Sequence, residues 1–324
     1  MFSTLPLDAV ILLTLIFSVP LLCLAAVASC LSYRFARKFK LLPPDKKGWI
    51  ERRWVIGPIL AVLALYALCF AYGTLIEASW VQTTRTEINV REPVLGYDRF
   101  RIVHLTDLHL ERIGRREYRM MEQIVAAKPH LILMTGDYMN VREGAVALNE
   151  VLGALKADHG VIGVEGNWDT KFLTADVFGR TKALFLVDDS RVLEKGGRRL
   201  RIVGQAMTPG RPLRELLPLN DDGVYTVYLH HSPDQVDEVR EARKAGQRID
   251  LFLCGHTHGG QVCLPFWGAV ITLTKHHKKY ERGLYDVDGV PMYVSRGVGS
   301  GGGAAPAVRF LARPEVAVID LVYK

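Results

Sequence analysis

Charge is absent from two long stretches near the start of this 324-residue chain. No Asp, Glu, Lys or Arg occurs from Ala9 to Tyr33, or from Trp54 to Ile76. Each stretch reaches the roughly 20 apolar residues that a helix needs to cross a bilayer. The first is too long for a signal-peptide core, and no Ala-x-Ala cleavage site follows it. Pro20 and Pro58 are tolerated in membrane helices. A buried helix of a globular core is the competing reading, and the complete lack of charge over such lengths counts against it. Cysteine is also scarce. Three of the five (Cys23, Cys30 and Cys69) sit in the apolar stretches, and Cys254 and Cys263 stand alone. No disulfide framework follows, so the redox compartment stays open. Cys254 reads as a small buried residue rather than a ligand. The glycine tract Gly299–Gly303 lacks the Gly-Lys-Ser/Thr ending of a phosphate-binding P-loop.

Positive charge is concentrated in one place. Between the apolar stretches lie Arg34, Arg37, Lys38, Lys40, Lys46, Lys47, Arg52 and Arg53 against only Asp45 and Glu51, which accounts for nearly all of the chain's net +7. The remainder is close to neutral, and aromatics are sparse around its smaller basic clusters. This excludes a nucleic-acid footprint and disfavours a nuclease. Short Lys/Arg-rich loops stay cytoplasmic. The pattern therefore predicts transmembrane helices over 1–33 and 54–76, a cytoplasmic loop over 34–53, and everything after residue 77 on the far side. Trp80 suits an interfacial anchor there.

Beyond a polar connector at 77–97, helical and strand patterns alternate. Strands are expected at 100–105, 131–135, 161–165, 224–230 and 251–254, with helices near 117–127, 145–157 and 235–245. The run Leu131–Thr135 is apolar throughout, as for a strand covered on both faces. A hairpin flanks Gly196-Gly197, and strands at 282–287, 292–295 and 316–322 close the chain. This is a mixed α/β domain over 98–324 with parallel units early and hairpins late.

Asp107, Asp137, Asn167, His231 and His256 all follow apolar strands within a few residues, and His109 and His258 lie two residues past Asp107 and His256. In open α/β sheets, ligands gather at the carboxyl ends of strands. So many His, Asp and Asn at strand ends point to two divalent ions sharing a carboxylate. Imidazole and carboxylate together suit Mn, Fe or Zn better than Ca or Mg. His230 competes with His231 for one position. Adjacent residues on a strand face opposite ways, so only one reaches the ions. Glu165 and Asp169 fit supporting roles behind the ligands. His130 and His159 read as surface residues. Lys275, His276, His277, Lys278, Lys279 and Arg282, and the group Arg112, Arg115, Arg116 and Arg119, are either solvated loops or capture sites for an anionic headgroup.

The segments Asp107-Leu-His109, Gly136-Asp137, Gly166-Asn167-Trp168-Asp169, His231-Ser-Pro-Asp234 and Gly255-His-Thr-His258 together resemble the calcineurin-like metallophosphoesterase family. The resemblance implies a four-layer αββα sandwich preceded by the two transmembrane helices. It implies one ion on Asp107, His109 and His258, another on Asn167, His231 and His256, and Asp137 bridging them, with catalysis centred on Asp137, Asn167 and His231. Gly-His-Thr-His-Gly-Gly-Gln261 and Tyr293-Val-Ser-Arg296-Gly are similar to the membrane-associated bacterial branch. That branch includes exported phosphoesterases and a membrane-bound pyrophosphatase of UDP-2,3-diacylglucosamine. The expectation is then a two-pass protein of the bacterial cytoplasmic (inner) membrane, with an extracytoplasmic domain hydrolysing a phosphodiester or pyrophosphate bond in an amphipathic, lipid-type substrate. Such a domain would meet a substrate made in the cytoplasm only if one of these two inferences gave way. The alternative is a catalytically silent scaffold that keeps the fold. One departure stands out. The family's usual histidine after Gly-Asn is Trp168, which cannot transfer a proton. His104 and His230 are the candidates to replace it.

Overall fold

The computed structural model describes residues 7–41, 53–169, 174–301 and 307–324. Residues 42–52 of the expected basic loop 34–53 lie outside them. The chain divides into two compact units, Met1–Leu75 and Ile76–Lys324. In the first, helices α1 (Leu7–Lys38) and α2 (Arg53–Ala71) carry the two apolar stretches. With the turns that follow α2, both are long and apolar enough to cross a membrane. Leu15, Phe17, Leu21, Leu22, Leu65, Leu68 and Phe70 are exposed. Water would make that surface unfavourable, whereas hydrocarbon suits it. The pair is consistent with a membrane anchor.

The second unit begins with β1 (Gln82–Val90) and β2 (Arg99–Leu105), followed by α3 (Arg115–Ala127), β3 (Leu131–Thr135), α4 (Gly144–Ala154) and β4 (Val161–Val164). Next come α5 (Thr174–Gly179), β5 (Leu184–Leu186), the hairpin β6 (Asp189–Lys195) and β7 (Arg198–Gly204), and α6 (Leu213–Leu216). The chain then forms β8 (Tyr225–Leu229), α7 (Val236–Lys244), β9 (Leu251–Cys254) and the short hairpin β10 (Cys263–Leu264) and β11 (Gly268–Ala269). It closes with β12 (Gly283–Val287), β13 (Val290–Val294) and β14 (Glu315–Tyr323).

Two six-stranded sheets result, in the orders β1-β14-β2-β3-β4-β5 and β12-β13-β9-β8-β7-β6. In the first, β2, β3, β4 and β5 run parallel, and β14 is antiparallel to β2. In the second, β7, β8, β9 and β13 run parallel, with antiparallel strands at both edges. Side-chain alternation explains the layers. Leu131 and Leu133 face one core while Ile132 and Met134 face another. The central core joins the sheets through Ile102, Leu133 and Ile162 from one and Val227, Leu251 and Leu253 from the other. A second core packs α3, α4 and α5 on the outside of the first sheet, and a third packs α6 and α7 on the second. This is the αββα order expected.

The stretch 77–97, expected as a polar connector, holds β1, which pairs in parallel with β14 along its full length. Its Thr, Arg and Glu side chains hid it, because an edge strand with one wet face carries little apolar signal. Strands β5, β10 and β11 are two or three residues long, too short for periodicity to register. His130 and His159 are not simply surface groups. They pack beside Tyr97 and Phe100, and His130 Nδ1 accepts the Arg101 backbone N–H at 2.8 Å.

Candidate metal centre

The loops leaving β2, β3, β4, β8 and β9 carry Asp107, His109, Asp137, Asn167, His231, His256 and His258. Five of these seven have left-handed backbone: Asp107 (φ 51°), His109 (45°), Asp137 (55°), His256 (70°) and His258 (51°). Non-glycine residues rarely adopt it, and strain of this kind gathers at functional sites. The turns are also too tight for side chains where loops cross. A Cβ on Gly136 would strike the backbone of Gly166, and one on Gly255 would strike the Asp107 carboxylate.

Hydrogen bonds commit one side of each group and leave the other free. Asp107 Oδ2 accepts from Thr106 Oγ1 (2.8 Å) and the His256 N–H (3.0 Å). Its Oδ1 is buried without a hydrogen-bond partner, 3.3 Å from His258 Nε2 and 3.9 Å from His231 Nε2. Asp137 Oδ1 accepts the Trp168 N–H at 2.8 Å, while Oδ2 lies 3.3 Å from His231 Nε2 and 3.7 Å from His109 Nε2. His109 Nδ1 donates to Asn140 Oδ1 at 2.7 Å, and His231 Nδ1 donates to the Thr135 carbonyl at 2.6 Å. Both Nε2 atoms therefore point into the cluster. Imidazole nitrogens then face each other, His109 Nε2 to His258 Nε2 at 3.3 Å and His256 Nδ1 to His231 Nε2 at 3.1 Å. Each contact needs either a proton on one of its nitrogens or a cation between them.

Two sets of donor atoms meet this condition: Asp107, His109 and His258, and Asp107, Asp137 and His231. The Asn167 side-chain oxygen is also buried without a hydrogen-bond partner. Orphaned oxygens, facing nitrogens and mixed N/O donors fit divalent transition ions.

Electrostatics agree. Burial opposes a charge on His231, yet Asp137 and Asp107 outweigh it and push its pKa up to about 10. Burial lowers His258 to about 3 and also lowers His109 and His256. The carboxylates thus demand positive charge, and only one imidazole is placed to supply it as a proton. Burial works against the charged form of Asp137, but His231 and His109 hold it well below the usual carboxylate range. Behind it, Asp169 accepts the backbone N–H of Asp137 and Gly166 at 2.7 Å each and of Tyr138 at 3.0 Å. Burial and the Asp137 charge raise its pKa to about 7. Glu165, expected beside it, accepts the Met207 backbone N–H, and burial raises its pKa.

Of the two neighbouring histidines, His231 joins the carboxylates. His230 turns its Nδ1 to the Ser232 backbone at 2.9 Å, and burial lowers its pKa to about 3. His104 is buried in the sheet against Thr135 Oγ1, and burial lowers it to about 4. The other ring nitrogen of each is buried without a hydrogen-bond partner. Trp168 holds Asp137 with its backbone and stands edge-on to His109, ring centroids 6.0 Å apart.

The segment spanning residues 100–263, half of the chain, matches the calcineurin-like phosphoesterase superfamily domain. The chain belongs to that superfamily. Its metallophosphoesterase relatives make it a metal-dependent phosphohydrolase. It is 28% identical to an uncharacterized metallophosphoesterase of Bacillus subtilis, YkuE, over 84% of this chain and 98% of that protein. It is 28% identical to the phosphodiesterase YaeI of Escherichia coli, over 84% of this chain and all of that protein. A UDP-2,3-diacylglucosamine pyrophosphatase of Chlamydia muridarum, LpxG, is 22% identical over 82% of this chain and 97% of its own length.

Two contributors carried no readable signal. Asn140 orients His109 from the loop after β3, and nothing in Tyr-Met-Asn-Val marks it. Arg309 is fully buried beyond the glycine tract. It donates to the carbonyls of Gly299, Arg296 and Ala312, with Nη2 3.3 Å from His258 Nδ1. The basic cluster is partly neutralised, because Lys275 pairs with Asp237 at 2.5 Å and Lys278 with Glu281 at 3.4 Å.

Proposed function

We propose that this chain is a membrane-anchored phosphoesterase with a two-ion centre that cleaves a phosphodiester or pyrophosphate bond in a lipid or lipid-linked nucleotide. The observation carrying this reading is Asp137 Oδ2, which faces His109 on one side and His231 on the other. A carboxylate oxygen so placed suits a bridge. One position would use Asp107, His109 and His258, and the other Asn167, His231 and His256. Manganese, iron or zinc fits these donors. Bound there, the ions would supply an activated water nucleophile and neutralise charge on the phosphoryl oxygens.

The protein's own part is positioning. Asn140 and the Thr135 carbonyl fix the tautomers of His109 and His231. Thr106, the His256 N–H and the Trp168 N–H fix the two carboxylates. Trp168 itself cannot pass a proton to a leaving oxygen. A general acid contributes roughly 10²–10⁴-fold, so a leaving group already stable as an anion loses least without one. That favours an anhydride or an activated diester over an alkyl monoester. The apolar helices and the resemblance to LpxG support a lipid-linked substrate such as UDP-2,3-diacylglucosamine.

The test is a panel assay of the full chain in lipid vesicles with added manganese. Lipid-linked pyrophosphates and diesters should turn over, and Asp137→Asn should abolish it. Faster cleavage of simple alkyl monoesters would reject the bond assignment.

A further inference from the structure

Among the described residues, three large apolar side chains are both exposed and held on left-handed backbone. They are Phe266 (φ 61°), Leu273 (55°) and Leu311 (55°). Backbone hydrogen bonds tie their three segments together. Phe266 is the tip of the β10–β11 hairpin, and its ring has no protein cover. The Val270 N–H bonds back to the Val262 carbonyl at 3.1 Å, which holds the start of the Leu273 loop against the hairpin. The Cys263 N–H bonds the Phe310 carbonyl at 2.8 Å and ties in Leu311. A bulky residue in this conformation is strained, and an exposed one recovers nothing by packing. Glycine or asparagine would serve folding better at each position.

Basic groups sit among these apolar ones. Trp267, half-exposed, has Lys278 Nζ 4.7 Å from its ring centroid and bonded to its carbonyl. Lys279 is exposed, and neither it nor Arg282 is paired with a carboxylate among the described residues. Arg282 donates to the Leu311 carbonyl at 3.0 Å.

We propose that this edge inserts Phe266, Leu273 and Leu311 into an anionic lipid surface, with Trp267 at the headgroup level and Lys279 and Arg282 on the phosphates. Aromatic rings and lysines adopt such positions at bilayer interfaces. A protein partner fits less well, because interface cores are depleted in lysine. The hairpin's root is the loop carrying His256 and His258, and Gly260 abuts Ala269 so closely that a Cβ would collide. Insertion would therefore hold that ligand loop at the lipid surface. The inference rests on the membrane-anchored reading but needs no catalysis.

Its test uses the full chain with Cys23 and Cys69 replaced by alanine, reconstituted in vesicles of phosphatidylethanolamine and phosphatidylglycerol. A nitroxide is placed at Phe266→Cys, at Leu273→Cys, or at Val146→Cys on α4 as reference. Co-flotation with vesicles reports anchoring separately from insertion. Labels at 266 and 273 should collide more often with oxygen than with a water-soluble nickel chelate, and the label at 146 should show the reverse. The oxygen preference should shrink in phosphatidylcholine vesicles. Nickel preference at both positions overturns the proposal. So does low access to both reagents, which would mean a second copy or another protein covers the edge. An equal oxygen preference in phosphatidylcholine removes the anionic selectivity.

Discussion

The two sheets contribute unlike chemistry to one centre. The first sends Asp107, Asp137 and Asn167, all oxygen donors, with a single imidazole from His109. The second sends only imidazoles, from His231, His256 and His258. Neither half alone offers what a pair of divalent ions needs. Bare carboxylates would repel each other, and bare imidazoles have no charge to hold a cation. The central core of Leu133, Ile162, Leu251 and Leu253 therefore does more than stabilise, because it brings two incomplete halves into register. Support differs too. On the first sheet, side chains such as Asn140 and Asp169 hold the ligands. On the second, His231 is held by a carbonyl borrowed from Thr135 of the first sheet, so its orientation depends on the sandwich being closed.

The largest effect should come from the group shared by both halves. Asp137→Asn should lower the rate of phosphodiester cleavage by about three orders of magnitude or more, roughly 4 kcal/mol at about 1.4 kcal/mol per decade. Steady-state assays of the full chain would show it, and a fall of less than tenfold would deny the shared role. Next is the junction itself. Leu253→Ala should cost ~2–5 kcal/mol in denaturant unfolding, because it opens a cavity between the sheets. Asn140→Ala should act on one half only. Metal affinity should fall about 10–100-fold at one ion position, with the other unchanged in isothermal titration. Equal weakening of both positions would erase the asymmetry.

The smallest effect lies far from the centre. Asp320 pairs with Arg101 at 2.7 Å and Arg99 at 2.9 Å. Burial opposes its charge, but the arginines dominate and hold its pKa below the ordinary value. The carboxylate is thus more acidic folded than unfolded. It adds stability above the unfolded pKa of about 3.9 and loses it as pH falls through the folded value. Asp320→Asn should cost less than about 1 kcal/mol at neutral pH and flatten the acid limb of the stability curve.

Much of the centre was legible because its candidate ligands end apolar runs. Asp107, Asp137 and His231 each follow a strand whose residues have no reason to stop at a polar group except the loop they enter. Alternation made it legible that only one of His230 and His231 could reach the cluster, and the resemblance pointed to His231. What escaped were contacts between segments distant in sequence. Arg309 reaches His258 across 51 residues and Asn140 reaches His109 across 31, and neither spacing carries a period. Strand β1 escaped for a different reason. Its partner β14 is at the other end of the chain, and its own side chains are half wet.

Metal content bears most directly on the idea that each sheet brings an incomplete half. Purified full chain, His109→Ala and His231→Ala would be loaded with manganese, desalted and analysed by mass spectrometry. Two ions per chain are expected for the unmodified protein and about one for each variant, with a different ion lost in each. An unmodified chain that retains no metal, or variants that both keep the full complement, would contradict it.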